Sequence, residues 1–73
     1  MSAKHTPGPI PATVFDAFMA QMDAVDWDDL PDGAWFSVLE EEAGRFMKAN
    51  RIKGCRNDAA HQWVRAKATG AQQ

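Results

Sequence analysis

Seventy-three residues make one domain, and a chain this short buries only about 60% of its unfolded surface, too little to wall in a deep pocket. An apolar fraction of 45% argues against general disorder, and a single cysteine, Cys55, excludes an internal disulfide. The net charge of −2 hides a segregation: nine acids and no base from Asp16 to Glu42, then seven bases and only Asp58 from Arg45 to Lys67.

Residues 1–11 hold Pro7, Gly8, Pro9 and Pro11 with almost no apolar side chain. Proline lacks a donor and blocks helix, which predicts a disordered tail whose removal through residue 10 leaves folding intact. Thr13 reads as an N-cap with Asp16 as its capping-box partner. Phe15, Phe18, Met19 and Met22 follow at helical spacing, so the first helix is expected over 14–24.

The acidic connector carries Asp26, Trp27, Asp28 and Asp29, and Pro31-Asp32-Gly33 is a turn signal. A second helix is predicted over 34–49, with Phe36, Leu39, Ala43 and Phe46 as its buried stripe. Trp35 and Met47 flank the stripe, Val38 extends an exposed patch with Trp35, and Glu41 sits one turn before Arg45. Asn50 is expected as a left-handed C-cap. Ile52 anchors the basic loop that follows. Asn57 then caps a third helix over 58–68, with Ala60, Trp63 and Val64 facing inward and Gly70 ending it. The fold class is therefore all-α: a small compact three-helix domain over 12–69, a disordered N-terminal tail, and a frayed end at 70–73.

Little in this pattern supports chemistry. His61 and Cys55 lack a third group to orient them, which leaves a surface histidine and a half-buried thiol. Cys55, His61 and His5 show no metal-ligand spacing, and the acidic connector lacks the Gly and the bidentate Glu of a calcium loop. No catalytic residue, metal or cofactor is expected. No apolar run is long enough for a membrane span or a signal peptide, so the expected location is a cytoplasm.

Surface binding is the remaining role. The candidate partner-binding residues are Trp27, Asp28, Asp29, Trp35, Arg51, Lys53 and Arg56. Tryptophan serves both as core anchor and as interface hot spot, and Trp27 either plugs the end of the bundle or meets a partner. Arg51, Lys53 and Arg56 suit phosphates, although the long connection and the residues Asp58, Ala59 and Gln62 make a poor helix-turn-helix.

The opening His5-Thr6-Pro7-Gly8-Pro9 resembles the start of many small proteins encoded by bacteriophages. In length and general character the chain is also similar to host-takeover regulators of phages, those of xanthomonad phages among them. That resemblance implies binding to host RNA polymerase subunits, inhibition of transcription initiation and antitermination, all in the host cytoplasm, with nucleic acid as a secondary contact. Two other expectations stand beside it. One is an inhibitor of a host defence complex, with the acidic span imitating nucleic acid as an anti-CRISPR protein does. The other is a small DNA-binding regulator that uses the basic segment 45–67.

Overall fold

The computed structural model describes residues 6–71. Three helices follow one another: α1 (Ala12–Asp23), α2 (Trp35–Ala49) and α3 (Arg56–Ala71), with a single 3₁₀ turn at Trp27–Asp29 between the first two. No strand occurs among the described residues. The body is a flattened disc, 32 × 31 × 17 Å along its principal axes.

Periodicity explains the packing. Phe15, Phe18, Met19 and Met22 share one face of α1, and all four are buried. The face of α2 carrying Leu39, Ala43, Phe46 and Met47 meets them, with Phe18 edge-on to Phe46 at 5.3 Å between centroids. The helix α3 returns antiparallel to α2. Arg56 lies beside Gly44, Asn57 donates to the Glu40 carboxylate at 3.1 Å, and His61 meets Phe36 at 5.1 Å. Ala59 and Ala60 are fully buried at this contact, where small side chains let two helices approach closely.

The helix ends differ from expectation. Helix α1 starts at Ala12, two residues early, because Pro11 in extended conformation (φ −72°) supplies the carbonyl that receives the Val14 N–H at 3.2 Å. Thr13 lies inside the first turn, and the N-cap position belongs to Pro11, which makes no side-chain cap bond. The Pro31-Asp32-Gly33 turn holds as predicted, closed by Ala34 N–H to Pro31 O at 3.1 Å, with Gly33 at φ +81°.

At the end of α2 the left-handed residue is Arg51 (φ 55°), one position after Asn50. The Ile52 N–H reaches Met47 O at 2.8 Å and the Arg51 N–H reaches Lys48 O at 3.3 Å, the two bonds of a Schellman motif. Asn50 instead caps with its side chain, donating to Phe46 O at 2.9 Å. Ile52 packs partly buried against the core, as expected of the loop's anchor. Arg45 pairs with Glu42 at 2.6 Å, not with Glu41.

Helix α3 begins at Arg56, two residues before the expected start, with the Cys55 carbonyl receiving the Ala59 N–H. Asn57 therefore sits within the first turn and turns its amide to Glu40. The helix also passes through Gly70, since one glycine costs about 1 kcal/mol relative to alanine and does not by itself stop a helix.

The largest correction concerns the tail. The expected disorder through residue 11 fails from Thr6 onward, and residues 1–5 lie outside the described residues. Ile10 is fully buried, Thr6 is 8% exposed, and the segment between them lies as a strap across α3. Gln62, also fully buried, holds it. Its amide nitrogen donates to Thr6 O at 2.7 Å and Ile10 O at 3.0 Å, while its Oε1 accepts the Ile10 N–H at 2.9 Å. Thr6 Oγ1 donates to Gln62 O, and Arg65 donates to Pro7 O. A Cβ on Gly8 would clash with the Gln62 side chain, so the strap approaches this closely only with glycine at position 8.

Candidate functional site

Helix α2 holds two unlike surfaces apart. Its 15 residues span about 22 Å at 1.5 Å per residue. The acidic connector precedes its first turn, and the basic loop follows its last.

At the acidic end, Asp26, Asp28, Asp29 and Asp32 are all exposed. None of the four enters an ion pair among the described residues. Trp27 turns inward from their midst. Its indole N–H donates to Met22 O at 3.0 Å, and its ring lies 5.5 Å from that of Trp63. This is the plug of the bundle end, half-buried, with only an edge left for a partner. Lys67 stands over the Trp63 ring and pairs with Asp23 at 2.7 Å. The Trp63 indole nitrogen is buried without a hydrogen-bond partner.

Trp35 behaves differently. At 47% exposure it is the one large hydrophobic side chain on the surface of the described residues. Its ring leans edge-on against Phe36, which in turn contacts His61, so an aromatic ridge runs from α2 onto α3. Val38 is half-buried and adds little to it.

At the basic end, Arg51, Lys53 and Arg56 are exposed, and Arg45 and Lys48 join them from the last turns of α2. Arg45, Lys48 and Arg56 line one shallow cleft of about 400 Å³ together with Gly44 and Glu41. The predicted residues thus fall into two groups: Asp28, Asp29 and Trp35 at one end, Arg51, Lys53 and Arg56 at the other.

Cys55 and His61 do come near each other. Both line a groove of about 480 Å³ beneath the strap, with Asp58 and Arg65. No hydrogen bond joins the thiol to the imidazole, and Cys55 is exposed where half-burial was expected, because it stands at the tip of the turn into α3. Among the described residues no three His, Cys, Asp or Glu side chains gather as metal ligands. Nor is any described helix long and apolar enough to cross a membrane.

Sequence reasoning missed Gln62 and Gly8. The usable signal was the position of Gln62, three residues after Ala59 on the buried face of α3. No protein-family model, curated protein or solved structure matches the chain.

Proposed function

We propose that this chain is a non-enzymatic regulator that binds host RNA polymerase in the cytoplasm and inhibits transcription initiation, with antitermination as a further effect of the same contact. The observation that carries the binding role is the acidic end: four exposed aspartates with no ion pair among the described residues, in the connector that leads to the exposed Trp35. An indole flanked by acids suits an apolar pocket rimmed with bases, since tryptophan supplies contact area and the carboxylates supply steering and orientation. Polymerase enters as the target through the likeness in length and general character to phage host-takeover regulators, with His5-Thr6-Pro7-Gly8-Pro9 supporting a phage origin.

A face of about 800 Å² is enough for specific binding and is within reach of a domain this size. Occlusion is then the mechanism: the bound domain covers a polymerase surface that promoter recognition requires. The test is affinity capture from bacterial lysate with the tagged full chain. Polymerase subunits are expected to be enriched, and the triple variant Asp28→Asn, Asp29→Asn, Trp35→Ala is expected to lose them while keeping its helical circular dichroism. Capture without polymerase subunits rejects the target; equal capture by the variant rejects the acidic end.

A further inference from the structure

We infer that the basic end, built from Lys48, Arg51, Lys53 and Arg56, is a contact site for the phosphate backbone of duplex nucleic acid, bound without regard to sequence. The inference stands apart from the polymerase reading, since it rests on the opposite end of α2.

The twelve residues from Arg45 to Arg56 carry five cations and no acid. All five are exposed. Segregated charge in a small protein is commonly neutralised within the molecule, and this fold does so only in part. Of the two ion pairs among the described residues, one holds Arg45 to Glu42 and the other holds Lys67 to Asp23, far from this loop. Lys48, Arg51, Lys53 and Arg56 form no ion pair among the described residues, Glu41 shares the cleft with Lys48 and Arg56 without pairing to either, and the acidic connector is held off by the length of α2.

Their arrangement suits phosphates. Lys48 comes from α2 and Arg56 from α3, and both line one shallow cleft with Gly44 and Glu41, the Arg56 side chain lying against Gly44. Arg51 and Lys53 belong to the loop that joins the two helices, Arg51 in a left-handed conformation. Two of the four are arginines, whose planar forks match phosphate oxygens.

Two features choose the form of the polyanion. Proteins that hold single strands stack bases on exposed aromatic rings, and the exposed ring here, Trp35, belongs to the far end of α2. Base reading by α3 is blocked as well. Ala59, Ala60 and Gln62 are buried, and the strap lies over Gln62. What remains is a backbone contact.

The experiment is fluorescence anisotropy of the full chain with a short labelled DNA duplex of arbitrary sequence, over a salt series. Four phosphate contacts predict a slope of log K against log salt of about −3.6, which is a loss of about a hundredfold for a fourfold rise in salt. The variant Lys48→Glu, Arg56→Glu is expected to bind about a hundredfold more weakly and with about half that slope. Asp28→Asn, Asp29→Asn, which alters only the acidic end, is expected to leave duplex affinity nearly unchanged. Should the reversed charges disturb folding, Lys48→Gln with Arg56→Gln gives the same comparison. Absence of duplex binding at low salt overturns the inference. So does an unchanged affinity in the charge variants, or tighter binding to single-stranded DNA or to poly-glutamate than to the duplex.

Discussion

Gln62 places three hydrogen bonds on one side chain, and each serves an extended backbone that no strand accompanies. A primary amide is suited to this, because it donates and accepts in one plane as a neighbouring strand does. Truncation to alanine leaves the Ile10 N–H and the carbonyls of Thr6 and Ile10 without their partner. Gln62→Ala is therefore expected to cost about 2–4 kcal/mol, read from the urea midpoint at low temperature. Gln62→Glu tests the same contact by charge: at neutral pH a carboxylate faces two carbonyls that need a donor, and the loss should be at least as large. A loss under about 0.5 kcal/mol in both variants, the range of ordinary surface substitutions, shows that the strap is not fastened here. Helical periodicity puts position 62 on one side with Ala59, but the sequence pattern sets Ala60, Trp63 and Val64 inward and Ala59 and Gln62 outward, since a polar residue reads as surface unless its partners are known. Those partners lie more than fifty residues away in the chain, and no local pattern announces them.

The three helices were legible because their apolar residues repeat at helical spacing, and Phe15, Phe18, Leu39, Ala43 and Phe46 all lie in the core as expected. Their ends were less legible. Backbone conformation at Pro11 and Arg51, which sequence patterns do not register, sets two of them in place of the side-chain cap at Thr13 and the left-handed Asn50. The strap was misread for a related reason. A lone isoleucine among prolines has no period, so its burial depends wholly on the tertiary fold. Removing residues 1–10 takes Ile10 from the core and leaves Gln62 facing water. The truncated chain is expected to keep its helical signal at low temperature and to melt about 10–20 °C lower, since each kcal/mol moves the midpoint of a domain this size by about 4–8 °C. Ile10→Ala in the full chain should reproduce most of that fall, because the lost methyl groups leave a cavity. Thermal melts followed by circular dichroism decide it: an unchanged midpoint in both returns the strap to the status of a tail.

For the whole molecule, charge order along the sequence left open whether the halves neutralise each other. The strut α2 answers by holding the acidic connector and the basic loop apart, and the acidic and basic segments form ion pairs only at Arg45–Glu42 and Lys67–Asp23 among the described residues. A molecule with one end suited to a protein and the other to DNA gains most where both are present, because engaging the first end raises the local concentration of the second. Affinity for polymerase on promoter DNA is thus expected to exceed affinity for free polymerase. The increment is bounded by the duplex contact and shrinks as salt rises. Lys48→Glu with Arg56→Glu should erase the increment and leave binding to free polymerase intact, whereas Asp28→Asn, Asp29→Asn and Trp35→Ala together should weaken both. The ends share no contact and stand about 22 Å apart by the rise of α2, so their effects on the free energy of binding to the promoter complex should add within about 0.5 kcal/mol. Titrations of labelled full chain against polymerase with and without promoter DNA provide the measurement. Equal affinities in the two, with basic-end variants silent in both, mean that the cations have no part in the assembled complex even if they hold a free duplex.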